Sequence, residues 1–178
     1  MISEKEALQT LLDRSLPTEA VEVPLLEALH RRCARRILAT VPLPGFDNSM
    51  MDGYAVRAAE TLPDHAPLRV IGEQPAGEDL GLRLEIGSAI RIFTGAPLPL
   101  GTEAVIMQED VERSDSPPTI RCLEPVEMGE NLRRCGSDLC VGQTLVQPGQ
   151  KLNAGLIGLL ASQGLTHISV HAAPRVAV

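Results

Sequence analysis

Three short stretches of the sequence concentrate carboxylates, hydroxyls and glycines. The first is Phe46-Asp47-Asn48-Ser49-Met50-Met51-Asp52-Gly53-Tyr54, the second Thr94-Gly95-Ala96-Pro97, the third Arg133-Arg134-Cys135-Gly136-Ser137-Asp138. An acidic pair, Glu109-Asp110, stands between the last two. Aspartate oxygens with water are hard ligands of the kind Mg²⁺ takes. A threonine hydroxyl and glycine N–H groups can hold an oxyanion, and Arg133 and Arg134 can grip phosphate through forked hydrogen bonds. Acidic loops repel an anionic substrate, so a divalent ion or these arginines must mediate any anion chemistry here. Each stretch also has a plainer reading. Asp-Asn-Ser suits a helix N-cap or a turn, Thr-Gly-Ala-Pro suits a loop, and 133–138 suits a solvated hairpin. On side-chain chemistry alone the plainer readings are favoured.

Other chemistries find little support. No Ser/His/Asp order, Walker loop or dinucleotide fingerprint is present. His30, His65, His167 and His171 are scattered and read as structural or surface residues. Cys33, Cys122, Cys135 and Cys140 form no C-x-x-C pair and have no histidine at ligand spacing, so they read as reduced thiols. A net charge of −7 argues against nonspecific binding to nucleic acid or an anionic membrane. No apolar run reaches the roughly 18 residues of a membrane helix. Met1-Ile2-Ser3-Glu4 lacks the basic-then-apolar pattern of a secretory signal, so a cytoplasmic protein is expected.

The elements that must position these stretches are mostly strands. Ser3 with Glu6 makes a capping-box pattern, and Ala7, Leu8, Leu11 and Leu12 follow at helical spacing, predicting an amphipathic helix over 3–14. Pro24 fits the first turn of a second helix reaching about residue 30. Residues 31–41 fit a helix through Leu29, Cys33 and Ile37, or a strand through Cys33, Arg35 and Ile37. Strands are predicted at 68–72, 89–93, 104–108 and 119–122, separated by Gly and Pro clusters. With 15 glycines and 14 prolines, the middle of the chain reads as a small β-rich domain with many turns. A strand at 144–146, a helix through Leu152, Leu156, Ile157, Leu159 and Leu160 stopped by Gly164, and a strand through Ile168 and Val170 close the pattern. Pro174-Arg175-Val176-Ala177-Val178 reads as a strand beginning, which predicts a further domain beyond it.

Taken together and in order, the motifs resemble those of molybdopterin molybdenumtransferases, the bacterial MoeA type related to the gephyrin E domain. The resemblance rests on 44–57, on Arg91-Ile92-Phe93-Thr94-Gly95-Ala96-Pro97-Leu98-Pro99, on Val105-Ile106-Met107-Gln108-Glu109, on Gly129-Glu130-Asn131-Leu132-Arg133-Arg134, and on 156–164. It implies an α+β, β-rich fold. An elongated, discontinuous α/β domain I, 1–46 with 140–173, would hold an inserted, barrel-like domain II, 47–139. Residues 174–178 would begin a pterin-binding domain III. The implied activity is insertion of molybdate into adenylylated molybdopterin with release of AMP, assisted by Mg²⁺. It would take place in a homodimer supplied by a molybdopterin adenylyltransferase.

By the same resemblance, Asp52, Thr94 and Asp138 are catalytic, and Asp52 and Asp138 position metal or water. Asp47, Asn48, Ser49, Gly95, Arg133 and Arg134 bind substrate. The chain departs from the family pattern at Met50, Phe93, Cys135 and Ser137, where Ala, Met, Arg and Glu are usual. The last two departures remove a charge of each sign beside Asp138. They leave open a non-catalytic dimerisation scaffold of the same family, and a relative handling another oxyanion such as tungstate also stays open.

Overall fold

The computed structural model describes residues 2–175. In chain order the elements are helix α1 (Glu4–Arg14), strands β1 (Ala20–Pro24), β2 (Ile37–Leu38), β3 (Asn48–Ser49), β4 (Gly53–Val56), β5 (Leu68–Gln74), β6 (Ser88–Ile92), β7 (Ala104–Met107), β8 (Val111–Asp115), β9 (Pro118–Cys122), β10 (Leu132–Arg133) and β11 (Thr144–Val146), helix α2 (Ala154–Ser162) and strand β12 (His167–His171). Short 3₁₀ turns cover Leu25–Ala28, Ala58–Thr61 and Gln108–Asp110. The fold is therefore α+β and rich in strands. No helix among the described residues is long and apolar enough to cross a membrane. The strand start expected at 174–178 falls largely on 176–178, outside the described residues.

The chain divides into two compact units, Met1–Val41 with Val141–Val178, and Pro42–Cys140. In the first, β1 pairs antiparallel with β12, β2 pairs with β11, and α2 packs beside them. Val23, Leu25, Cys33, Leu152, Leu160 and Val170 fill its core. Asn153 caps α2 by accepting from the Leu156 N–H. Ser3 and Glu6 form the capping box at the start of α1. No residue of α1 is buried, however, and Leu8, Leu11 and Leu12 all face solvent.

The second unit is built on a six-stranded half-barrel sheet of order β7-β4-β6-β5-β9-β8. Its pairs are antiparallel except β5 with β6, where Ile71 forms a bulge between the Val70 and Gly72 registers. Strand β4 lies inside the sheet and is buried along its whole length. Tyr54 and Val56 enter one apolar cluster with Leu68, Ile106 and Ile120, and Ala55 enters another with Ile90, Ile92 and Val105. A strand buried on both faces needs no polar alternation. At the ends of this unit, Leu43 and Leu139 exchange two backbone hydrogen bonds, of 2.9 and 3.1 Å. In the first unit Ala39 does the same with Gln143 and Gly142, at 2.8 Å each.

Several elements differ from the sequence expectations. The helix expected from Pro24 to about residue 30 is a strand followed by a single 3₁₀ turn. Pro24 is in register with His167, and the Leu25 N–H donates to the Thr166 carbonyl, so the backbone is extended there. His30 then adopts φ 67, which a helix excludes. Within 31–41, pairing prevails over the helical option, but only Ile37–Leu38 forms a regular strand, with a bridge between Cys33 and Val170. Strand β8 was not foreseen because Val-Glu-Arg-Ser-Asp is polar, which suits an exposed sheet edge.

Candidate functional site

Strand register explains why Asp52 and Thr94 meet. Gly53 at the head of β4 pairs with Ile92 at the tail of β6, so Asp52, one residue before Gly53, and Thr94, two residues after Ile92, extend from the same end of neighbouring strands. Asp52 Oδ1 accepts from the Thr94 N–H at 2.8 Å and from the Thr94 hydroxyl at 2.7 Å. These two bonds, the amide first, hold the Asp52 carboxyl below the usual aspartate range, and the Arg91 charge adds to the effect. Asp52 is therefore a carboxylate at neutral pH. Its second oxygen, Oδ2, has no protein partner among the described residues.

The 46–54 and 94–97 stretches are tied together by backbone. The Ser49 N–H donates to the Ala96 carbonyl at 3.0 Å, and the Gly95 N–H donates to the Ser49 carbonyl at 2.8 Å. Strand β3 pairs with β10, setting Asn48 opposite Arg133 and Ser49 opposite Leu132. Asn48 and Ser49 are buried, and both spend their side chains locally. Asn48 Nδ2 donates to the Phe46 carbonyl at 3.1 Å, and Ser49 Oγ donates to the Met51 carbonyl at 2.6 Å. Asn48, Ser49, Met50, Thr94, Gly95 and Arg133 line a small cavity of about 220 Å³. The Thr94 and Gly95 amides are both already donated inside the protein, so the charged group on the cavity's lining is the Arg133 guanidinium, which also pairs with Asp138.

The third stretch forms ion pairs with the first and with itself. Arg134 Nη1 donates to Asp47 Oδ2 at 2.6 Å, and the Cys135 N–H donates to Asp47 Oδ1 at 2.7 Å. The Cys135 amide first, then Arg134, lower the Asp47 pKa. Arg133 pairs with Asp138 Oδ2, and the Ser137 hydroxyl donates to Asp138 Oδ1 at 3.2 Å. All four charged side chains are about half exposed, so each pair contributes at most about 1 kcal/mol.

Direct contact thus joins Asp52 to Thr94, Arg133 to Asp138, and Asp47 to Arg134. The cavity brings Thr94, Gly95, Asn48, Ser49 and Arg133 together. Among the described residues no group of three or more His, Cys, Asp or Glu could hold a metal. The Asp52 Oδ2 left without a protein partner among the described residues is a hard oxygen of the kind Mg²⁺ takes, and Asp52 is the residue that would hold such an ion. Asp138 is engaged at both oxygens.

One residue escaped the sequence analysis as a site group. Arg91 lies 5.8 Å from the Tyr54 ring centre and 5.1 Å from that of Phe93. Its Nη1 donates to the Tyr54 hydroxyl at 3.3 Å and its Nη2 to Gln108 Oε1 at 3.4 Å. The available signal was an arginine two residues before a phenylalanine on one strand face, in register with a tyrosine on the next strand.

Comparison with known proteins places these features in context. The MoeA N-terminal region (domain I and II) matches residues 2–164. A protein of Haemophilus influenzae named molybdopterin molybdenumtransferase is 36% identical over 179 residues, covering 100% of this chain and 44% of that protein. One of the same name from Staphylococcus epidermidis is 32% identical over 181 residues, covering 99% of this chain and 43% of that protein. Two solved structures of a molybdopterin biosynthesis MoeA protein from Pyrococcus horikoshii superpose with TM-scores of 0.89 and 0.81, at 34% and 33% identity. Each covers 96% of this chain, which in turn covers 46% and 44% of them. The chain spans less than half the length of all these relatives.

Proposed function

This chain belongs to the family of MoeA N-terminal regions, domains I and II, and on that premise we propose that it serves a molybdopterin molybdenumtransferase in molybdenum cofactor biosynthesis. The reaction inserts molybdate into adenylylated molybdopterin and releases AMP. It is proposed for a protein of the relatives' full length, acting as a cytoplasmic homodimer supplied by a molybdopterin adenylyltransferase. The interrupted unit serves as domain I, about 1–46 with 140–173, and the inserted one as domain II, about 47–139.

The observation that carries this reading is the Asp52–Thr94 couple. Two donors on one carboxylate oxygen keep Asp52 ionised and fix its rotamer, while the other oxygen stays open. That oxygen can orient a water or hold Mg²⁺. When bound, Mg²⁺ would offset negative charge on the adenylyl phosphate and on molybdate. Asp138 orients Arg133, whose guanidinium borders the cavity and attracts an oxyanion. Asp47 and Arg134 brace the adjoining loop, and Asn48, Ser49 and Gly95 hold the cavity wall.

The test uses full-length protein with adenylylated molybdopterin and molybdate, comparing wild type with Asp52→Asn. AMP release is expected to fall about 100-fold or more, equivalent to ~2.7 kcal/mol of barrier. Undiminished release in the variant refutes the role given to Asp52. A second reading, a non-catalytic dimerisation scaffold, draws on the carboxylate partners already held by Arg133 and Arg134. Rescue of an insertase-deficient strain by the wild-type gene discards it. Competition between molybdate and tungstate in the same assay identifies the oxyanion.

A further inference from the structure

The stretch His30-Arg31-Arg32-Cys33-Ala34-Arg35-Arg36 carries four arginines, and they fall into two pairs. Arg31 and Arg32 are spent inside the interrupted unit, donating to the His171 carbonyl at 3.1 Å and to the Gly149 carbonyl at 2.8 Å. Arg35 and Arg36 are exposed, and neither guanidinium has a hydrogen bond or an ion pair among the described residues. Both border a groove of about 400 Å³ whose lining also takes in Ile37, Leu38, Leu165 and His167. Leu38 is 43% exposed there, and Ile37 and Leu165 are half-buried. The unit that holds the groove has eight Lys and Arg against six Asp and Glu, a net of +2 in a chain of net −7.

The groove also exposes an unfinished sheet edge. Strand β12 bonds to β1 on the side of its even-numbered residues. At either end of the pair the Leu25 N–H donates to the Thr166 carbonyl and the Ala172 N–H to the Glu19 carbonyl, both at 2.9 Å. The alternation of an antiparallel pair therefore turns the backbone groups of His167, Ser169 and His171 to the opposite edge. On that edge the Ala34 N–H donates to the Ser169 carbonyl and the His171 N–H to the Arg32 carbonyl, each at 2.9 Å. The chain then leaves β12 to form β2. The Ser169 N–H and both backbone groups of His167 are left without a backbone partner among the described residues. Unpaired N–H and C=O groups along a strand are a template for another strand.

We propose that this groove takes an extended, acidic segment of a partner protein, added as a strand on the open edge of β12 at 167–169. Its backbone completes the ladder, its carboxylates meet Arg35 and Arg36, and its alternating apolar side chains cover Leu38 and Leu165. Other occupants use less of the surface. An inorganic anion satisfies the arginines and leaves the strand edge and the leucines bare. Nucleic acid is opposed by the charge of the whole chain. Glu22, in register with Ser169, lines the same groove and limits how much acid it accepts. The proposal goes beyond the reading of the Asp52 site and uses none of its residues.

The test is an array of hexapeptides that alternate Asp, Glu or Lys with Val, Leu or Ser, probed with the 178-residue chain. Fluorescence anisotropy on the tightest binders follows. Acidic peptides built with Val or Leu are expected to bind saturably, about tenfold or more tighter than their Lys or Ser counterparts. N-methylation of alternate backbone amides, made in both registers, is expected to abolish binding in one register and spare it in the other. Joint substitution Arg35→Glu and Arg36→Glu is expected to reverse the preference toward the Lys peptides. Glu22→Gln is expected to tighten the acidic ones severalfold. Damage to the fold cannot produce either gain. The absence of a saturable acidic binder, an equal effect of both N-methyl registers, or an unchanged preference after charge reversal overturns the proposal. So does self-association, measured by light scattering, that the charge reversal abolishes, because it assigns the groove to a second copy of the chain. None of these results touches the AMP-release assay of Asp52→Asn, so the two readings fail separately.

Discussion

Replacing Gly53 with alanine tests the packing that presents Asp52. Strand β4 runs between β6 and β7, with Gly53 opposite both Ile92 and Met107. A Cβ added there falls 2.0 Å from the Ile106 carbonyl oxygen, 2.9 Å from its carbon and 3.0 Å from Met107 Cα. Ordinary contact begins at 3.4 Å, and all three atoms are backbone, so no side chain can swing away. The strands must part by roughly an ångström, which strains the core by about 1–3 kcal/mol. Backbone bonds between β4 and β7 weaken as well, each worth about 1 kcal/mol net. The expected loss is about 3 kcal/mol. With a urea slope of about 1–3 kcal/mol per molar, the midpoint should fall on the order of 1–3 M.

The assay is built into the chain. Tyr54 is its only tyrosine, there is no tryptophan, and Tyr54 is 2% exposed in the affected sheet. Tyrosine fluorescence therefore reports unfolding of the inserted unit. Gly45→Ala, where an added Cβ meets nothing within 4 Å, is the control and should stay within about 0.5 kcal/mol of wild type. A Gly53→Ala midpoint equal to that of the control refutes the packing argument and, with it, the account of how Asp52 reaches Thr94.

Thr94→Val removes one of the two donors to Asp52 and keeps the larger one, the amide. The carboxyl titration of Asp52, followed by NMR, should shift upward only part of the way to the ordinary aspartate value, and an unmoved midpoint contradicts the assigned bond. The folded-state pKa of Asp47 is depressed, so the stability it contributes is complete above the unfolded aspartate pKa of about 3.9 and is lost as pH falls through the lower folded value. Asp47→Asn should therefore flatten the loss of stability in acid, and an unchanged acid slope in urea melts would discard the linkage. Leu160→Ala empties a fully buried position in α2 and should cost about 2–5 kcal/mol in the helical circular dichroism transition, and a cost under about 1 kcal/mol would show that the core around α2 is not packed as described.

Much of this was legible in the residues. The capping box at Ser3 and Glu6, the 144–146 strand and the helix stopped by Gly164 are local signals, and they form where the pattern puts them. The family and the β-rich fold were legible because several motifs recur in order. What escaped depends on distant partners. Ala20–Pro24 becomes a strand only because His167–His171 pairs with it. Gly53–Val56 reads as loop chemistry because its four residues are buried on both faces and show no alternation. The engagement of Arg134 by Asp47 joins residues 87 apart in sequence and the contact of Arg91 with Tyr54 joins residues 37 apart, while Arg133 meets Asp138 within one short loop whose closure the residue types alone do not fix.

The paired backbone bonds at Leu43 and Leu139 bear on the order in which the chain folds. Every contact that defines the inserted unit lies between its own ends, so it can form before β12 exists, whereas β1 must wait for a partner that follows the whole insert, with Pro24 pairing His167. Once folded, the insert holds its two ends side by side and shortens the effective loop between Pro24 and His167 about threefold. Logarithmic closure scaling puts the saving at about 1 kcal/mol. During synthesis, the later-completed unit would therefore assemble on a chain already cinched by the earlier one, and damage to the sheet around Tyr54 would slow the maturation of strands it never touches.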